Sequence, residues 1–182
     1  MKFVETSLPG VIRVEPLLHS DERGYFMETW QAKKYRAGGI DMEFVQDNFS
    51  HSSKGTLRGL HYQIQQPQGK LVRVVSGEVF DVAVDLRKTS PCFGQWTGAI
   101  LSAANNHQLW VPPGFAHGFL VLSDTAEFEY KCTDFYAPEF ERSLRWDDPD
   151  IGIDWPLSPG EQPGLSAKDA DAPLLTAAET YA

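Results

Sequence analysis

Between Leu57 and Val74 the chain carries one imidazole (His61), one ammonium (Lys70) and two guanidinium groups (Arg58, Arg73). They lie on segments that alternate apolar with polar residues, and so read as strands rather than loops. A titratable ring beside a fixed cation that can steady a developing oxyanion is the minimum equipment for moving a proton on and off a carbon next to a carbonyl. A second ring, His117, stands in Val111-Pro112-Pro113-Gly114-Phe115-Ala116-His117-Gly118-Phe119, where Pro and Gly fix a tight turn that delivers it to the start of a strand. His19, His51 and His107 sit in polar, turn-like contexts and read as surface residues.

Strands must position these groups. Val11 to Glu15 reads as a short strand after the Pro9-Gly10 turn, and Asp21-Glu22-Arg23-Gly24 as a charged turn feeding an aromatic strand. A helix is expected from Thr29, its N-cap, to Arg36, stopped at Gly38-Gly39. From Phe44 to about Tyr136 the pattern is almost all strand and turn, with strands at Phe44–Asn48, Leu71–Val75, Val79–Leu86, Gly98–Leu101, Gln108–Val111, Gly118–Leu122 and Ala126–Cys132. In the third of these, Val79, Asp81, Ala83 and Asp85 share a face, which either lines something wet or simply meets solvent. Short strands at regular spacing, without crossover helices, predict an all-β antiparallel sandwich or barrel. The tail from Pro156, rich in Pro, Gly, Ala and Ser, has the composition of a linker or frayed end, with one short helix expected in Ala170–Ala182.

A chain of 182 residues with 42% hydrophobic and 23% charged residues suits one globular domain spanning 1–182. Its net charge of −9 argues against nucleic acid or an anionic membrane as partner, so any anionic ligand needs a local basic pocket. Cys92 and Cys132 form no C-x-x-C pair and read as reduced thiols of a cytoplasmic protein. No export signal or membrane anchor is expected, because no long apolar run occurs.

Pro112-x-Gly114-x-x-His117 resembles the second metal-binding motif of the cupin superfamily. In the first motif, however, His61-Tyr62-Gln63 offers no second histidine at i+2, and Lys70 follows where a cation would be repelled. A cupin-type barrel or jelly roll with a few short helices, with neither metal nor cofactor, is the expectation. A more specific resemblance is carried by Asp21–Gly24, Phe44–Asn48, Leu57–His61, Gly69–Arg73, Gly77–Asp85, Pro113–Phe119, Tyr130–Thr133, Ile151–Pro156 and Leu165–Asp169. Through these segments, in order along nearly the whole chain, it resembles the dTDP-4-dehydrorhamnose 3,5-epimerases.

The resemblance implies a nucleotide-linked 4-keto-6-deoxyhexose as substrate, dTDP-4-dehydro-6-deoxy-D-glucose, epimerised at C3 and C5 through an enolate to the L-rhamnose precursor. It implies that His61 is the base, with Asp169 holding its other ring nitrogen; that Tyr130 is the acid on the opposite face; and that Lys70, assisted by His117 and Asp81, stabilises the C4 oxyanion. For the nucleotide end it points to Arg23, Glu28, Gln46, Asp47, Asn48, Arg58, Glu141 and Lys168, with Phe26 stacking nearby. It further implies a homodimer whose N-terminal strands join the partner's sheet, so that Arg23 and Glu28 serve the neighbour's pocket, and a tail (about 157–182) packed on the barrel because Lys168 and Asp169 are needed there. The alternatives are an enzyme that inverts C3 or C5 alone, a 3,4-ketoisomerase of the same sugars, a metal-dependent cupin, and a non-catalytic sugar-binding cupin.

Overall fold

The computed structural model describes residues 1–182. In chain order the elements are β1 (Lys2–Glu5), β2 (Ile12–Glu15), β3 (Leu18–Asp21), β4 (Gly24–Met27), α1 (Ala32–Ala37), β5 (Gln46–Ser53), β6 (Leu57–Gln63) and β7 (Lys70–Ser76). Then follow β8 (Glu78–Asp85), β9 (Trp96–Ser102), β10 (Gln108–Val111), β11 (Phe115–Val121), β12 (Thr125–Cys132), β13 (Glu141–Ser143) and α2 (Ala167–Ala170), with one 3₁₀ turn at Pro138–Phe140. No helix is long and apolar enough to cross a membrane.

Two antiparallel sheets, ordered β1-β2-β10-β7-β12-β5 and β13-β6-β11-β8-β9, pack face to face in the expected cupin-type jelly roll. Strand alternation decides which side chains meet between them. Val72 and Val74 of β7, Ala126 and Phe128 of β12, Val79 and Ala83 of β8, and Phe115, Phe119 and Val121 of β11 join one buried cluster drawn from both sheets. The same alternation sends Lys70, Tyr130, Asp81 and His117 inward. Asp81 is therefore an interior residue, fully buried, so its face does not meet solvent, but Val79 and Ala83 on that face belong to the apolar core rather than to a wet lining.

The outer faces are covered by segments with little regular structure. Leu60, Tyr62, Val82, Val84 and Leu86 pack under Ile151, Ile153, Trp155, Leu175, Ala178 and Tyr181 of the C-terminal tail. On the other sheet, α1 and its flanks lay Tyr35, Ile40, Trp30 and Phe44 over Ile12, Val14, Leu71 and Trp110. Each such apolar side chain contributes roughly 1.5–3 kcal/mol on burial, enough to hold a Pro- and Gly-rich tail that composition marks as frayed.

Polar anchors fix the tail's register. Asp148, 2% exposed, accepts the backbone N–H groups of Asp150, Ile151 and Leu175. Tyr62 donates its hydroxyl to the carbonyl of Glu179, and Tyr181 donates to that of Gln63. The expected helix over Ala170–Ala182 does not form. Helix α2 ends at Ala170, since Pro173 lacks the N–H a helix needs and disfavours helical backbone at Ala172, and the N–H of Leu175 goes to Asp148 instead.

Other local expectations shift. Helix α1 starts at Ala32, capped by Gln31 rather than Thr29: the Gln31 side chain accepts from the N–H of Lys34, while the Thr29 carbonyl accepts from Tyr35 and Gln108. The strand expected at Phe44–Asn48 begins at Gln46 and runs to Ser53, so His51 lies on a strand, its side chain outward and exposed. Lys70 and His61 lie on strands of different sheets, β7 and β6.

Asp148→Ala, which strips the acceptors from three backbone donors, is expected to cost on the order of 3 kcal/mol in a urea titration and to expose residues beyond 157 to protease. Unchanged stability and protease resistance would show that apolar packing alone seats the tail.

Candidate active site

His61 is delivered by a distorted strand. Pairing of β6 with β11 runs His117 opposite His61 but Phe119 opposite Arg58, so β6 carries an extra residue between these pairs. Gly59 takes a left-handed φ of +121°, and a side chain there would meet the backbone of Gly118 and the His117 carbonyl within 2.7 Å. Gly118 is equally confined against Arg58. Two glycines back to back thus let the strands bearing the two histidines approach closely.

His61, Lys70, His117 and Tyr130 line one cavity of about 150 Å³ between the sheets, with Arg58, Ser50, Phe49, Phe119 and Phe128. His61 and His117 come from one sheet, Lys70 and Tyr130 from the other, so the imidazole of His61 and the phenol of Tyr130 occupy facing walls of a single compartment. Phe128 and Phe119 stack at a 4.1 Å centroid distance, with His117 parallel to Phe128, giving the cavity an aromatic floor. The Lys70 ammonium lies 6.0 Å from the Tyr130 ring centroid.

Each histidine is held by a buried carboxylate. Nε2 of His61 lies 2.5 Å from Oδ1 of Asp169, which leaves Nδ1 without a protein partner. The carboxylate accepts Nε2–H and so favours the tautomer whose Nδ1 can take a proton. Nε2 of His117 lies 3.0 Å from both oxygens of Asp81. Burial resists ionisation of Asp169, but hydrogen bonds from His61 and Ser166 and the nearby Lys168 outweigh it and bring the carboxyl below its usual range. Asp81 goes the other way: burial raises it, and His117 and Lys70 only partly offset this.

Burial also lowers the Lys70 ammonium, against the pull of the Cys132, Glu141 and Asp81 charges, and raises the Tyr130 phenol to about 12. The phenol therefore holds its proton at neutral pH and releases it only to a strong base. No three His, Cys, Asp or Glu side chains converge on a common point.

A second cleft, about 400 Å³, shares Arg58 and His61 with the first and is otherwise lined by Thr56, Leu57 and Gly164 to Asp169, omitting Ala167. The tail segment at Gly164 runs beside Thr56 as a parallel bridge, which brings Lys168 and Asp169 to β6. Lys168 pairs with Glu141 at 2.9 Å, and Tyr136 donates to the other Glu141 oxygen. Gln46 and Asn48 point inward on β5, bonded to each other, and Gln46 also accepts the Tyr136 N–H.

Six of the sequence-derived candidates line neither cavity: Gln46, Asn48 and Glu141, whose contacts are given above, and Asp47, Arg23 and Glu28. Asp47 lies on the outward face of β5, paired with Lys131. Arg23 and Glu28 belong to the β3–β4 hairpin and its flank, paired with Asp21 and Lys34, and Phe26 on that hairpin is 71% exposed. Conversely, Ser50, Ser52, Tyr136 and Ser166 were not singled out from the sequence. Period-two polarity in Gln46, Asn48, Ser50 and Ser52 was the available signal for a wet inner strand face, and Ser166-x-x-Asp169 for a helix cap.

Residues 5–177 match the family model described as dTDP-4-dehydrorhamnose 3,5-epimerase. An enzyme of that name from Pseudomonas aeruginosa is 54% identical over 182 residues, covering all of this chain and 99% of the relative. One from Methanothermobacter thermautotrophicus is 55% identical over 168 residues, covering 92% and 91%. The fold superposes with a TM-score of 0.94 on the crystal structure of a dTDP-6-deoxy-D-glucose-3,5-epimerase from Legionella pneumophila in complex with dTDP-4-keto-L-rhamnose, at 57% identity, over 98% of this chain and 94% of that one.

With tyrosines labelled at Cζ, NMR titration should show Tyr130, assigned by its loss in Tyr130→Phe, keeping its proton past pH 11. Phe128→Ala, which admits water beside the ring, should bring it back toward the ordinary phenol value of about 10. A midpoint near 10 in the unsubstituted protein would refute the desolvated position.

Proposed function

The chain belongs to the dTDP-4-dehydrorhamnose 3,5-epimerase family, and we propose that the cavity between its sheets is where the two sugar centres are inverted, by His61 and Tyr130 acting from opposite walls. The enzyme is an isomerase that converts dTDP-4-dehydro-6-deoxy-D-glucose to dTDP-4-dehydro-L-rhamnose, on the route to dTDP-L-rhamnose. The observation that carries the residue assignment is the placement of one base and one acid on facing walls with a cation beside them.

The C4 carbonyl acidifies the hydrogens on C3 and C5. In a gluco-configured chair with its substituents equatorial, both hydrogens are axial and on the same face, so one base on one wall serves both centres. Nδ1 of His61 takes the proton, and Asp169 holds the resulting imidazolium. The electron pair moves onto the C4 oxygen, where Lys70 stabilises the enolate, with His117 kept in place by Asp81. Tyr130 then delivers a proton to the same carbon from the opposite face, which inverts it; its high affinity for that proton suits a strongly basic carbon acceptor. Each turnover at a centre leaves His61 protonated and Tyr130 ionised, and exchange with water resets both.

Arg58 and Lys168, at the cleft adjoining His61, suit a diphosphate, and they give an acidic protein the local positive charge its anionic substrate requires. Gln46, Asn48 and Glu141 form the polar rim beside it. Asp47 takes part only indirectly in this reading, by holding Lys131 on the outer face of the sheet.

The β3–β4 hairpin leaves Leu17, Tyr25 and Phe26 exposed, a composition suited to a second copy of the chain. We read it as the arm of a homodimer that carries Arg23 and Glu28 to the neighbour's pocket. The two unpaired thiols, Cys92 and Cys132, fit a reducing cytoplasm.

Turnover in deuterium oxide should place label at both C3 and C5; label at a single centre would mark an enzyme that inverts one carbon. His61→Ala should slow exchange by about 10²- to 10⁴-fold while binding of dTDP, followed by calorimetry, is kept. Retained exchange would remove His61 as the base. If the hairpin acts across a dimer, mixing inactive Arg23→Ala and His61→Ala chains should recover about a quarter of full activity, because half the dimers then hold one intact site. No recovery on exchange of subunits would place Arg23 in its own chain's pocket.

A further inference from the structure

We propose that Gln63 is a positioning residue for the nucleotide end of the substrate: its side-chain amide fixes the backbone on both sides of Tyr136, and so keeps the Tyr136 hydroxyl on Glu141, the partner of Lys168. The proposal rests on the reading of Lys168 as a diphosphate ligand with Glu141 at its rim, and names what holds that rim in place.

The segment between β12 and β13 has little to pack against. Phe135 and Tyr136 are 62% and 53% exposed, and Ala137 is the one buried residue between Asp134 and Glu141. Its far end is secured by β13 and by the Phe140 carbonyl, which accepts from Ile64. The Tyr136 end rests on side chains instead. Gln68 donates to the Asp134 carbonyl at 2.9 Å, Gln63 donates to the Phe135 carbonyl at 3.2 Å, Gln46 accepts the Tyr136 N–H at 2.9 Å, and Gln63 accepts the Ala137 N–H at 3.0 Å. Three glutamines thus hold a backbone group on each of four consecutive residues, and Gln63 alone grips both neighbours of Tyr136.

Gln63 stands two residues beyond His61 on β6 and is only 3% exposed, so water does not do this work in its place. Its amide also donates to the Gln66 carbonyl at 2.7 Å, so both amide hydrogens are used and the side chain cannot turn without breaking all of its bonds. Its backbone meanwhile pairs with Glu141 in the β6–β13 ladder. One residue therefore holds Glu141 and the segment that brings Tyr136 back to it. Tyr136 donates to one Glu141 oxygen at 3.2 Å, Lys168 donates to the other at 2.9 Å, and Lys168 lines the cleft that includes Arg58 and His61. A segment released at Gln63 takes the Tyr136 hydroxyl off Glu141, and the carboxylate no longer presents the Lys168 ammonium in one place to an incoming anion.

The test measures dTDP binding by calorimetry, and deuterium incorporation into dTDP-4-dehydro-6-deoxy-D-glucose, on Gln63→Met, Gln63→Asn, Tyr136→Phe and the Gln63→Met, Tyr136→Phe double variant. Gln63→Met keeps the volume and removes the amide; Gln63→Asn keeps a buried amide too short to reach the segment, and serves if the first does not fold. Each single variant should weaken dTDP binding and raise KM about tenfold with kcat nearly unchanged, since β6 and His61 are held by backbone pairing that the substitutions leave alone. The double variant should be no weaker than either single one, because both changes cut the same line of contacts. Native dTDP affinity in the folded Gln63 variants, a fall in kcat at native KM, or full additivity in the double variant would overturn the proposal and leave Gln63 as a loop anchor alone. Lys168→Ala in the same titration separates the two readings: if it binds dTDP as tightly as the native chain, the diphosphate assignment itself has failed; if it binds weakly while the Gln63 variants are native, only the role of Gln63 has.

Discussion

The contact between His61 and Asp169 joins residues 108 positions apart, one on a barrel strand and the other on a turn of the C-terminal tail. An imidazole on a β-strand is only a surface or core residue until something fixes which nitrogen carries the proton, and here that something lies outside the barrel's own strands. The tail's packing on β6, β8 and β11 therefore matters to chemistry as well as to stability. Tyr62 illustrates the coupling: one residue along β6 from His61, it buries its ring under the tail and donates its hydroxyl to the Glu179 carbonyl.

The interior is divided rather than uniform. Toward β9 and β10 the sheets close on Val, Leu and Phe, whereas at the β6, β7 and β12 positions of His61, Lys70 and Tyr130 they leave space bordered by charge. Because the same apolar layer desolvates the polar half, it raises the Tyr130 phenol and lowers the Lys70 ammonium. A proton that would be unremarkable in water becomes one that leaves only for a strong base, and the cation acts in surroundings where screening is weak. The two buried carboxylates of this half are each paired with a histidine, Asp81 with His117 and Asp169 with His61, whereas the Lys70 ammonium has no carboxylate in ion-pair contact.

Against an overall charge of −9, the cations that face the site are few and placed by strand register or by the tail. Arg58 is held by Ser52 of β5, a strand of the other sheet, at 2.9 Å, and Lys168 by Glu141. Tethered cations keep their geometry for an incoming anion, whereas the Arg23 side chain, 85% exposed, answers only to Asp21 within its own hairpin.

Much of this was legible in the chain. Alternation in β7, β8 and β12 gave the strands, and missing crossover helices gave the antiparallel architecture, because period-two patterning is a local property; His61, Lys70 and His117 stood out by residue type and turn context, whereas Tyr130 was named only through the family resemblance and the inward faces were left open. What the sequence could not decide is which distant segments meet. Composition marked the tail as frayed, and only its docking on the barrel shows why it is ordered; Asp47 and Asn48 look alike in sequence, and only the register of β5 against β12 sends one outward and the other in. The helix expected after Ala170 was undone by Pro173 and by a carboxylate, Asp148, that lies 27 residues from the N–H it captures. Residue types and local periodicity fix what each segment is able to do, but long-range pairing sets which groups share a dry cavity, and with that their proton affinities and their use.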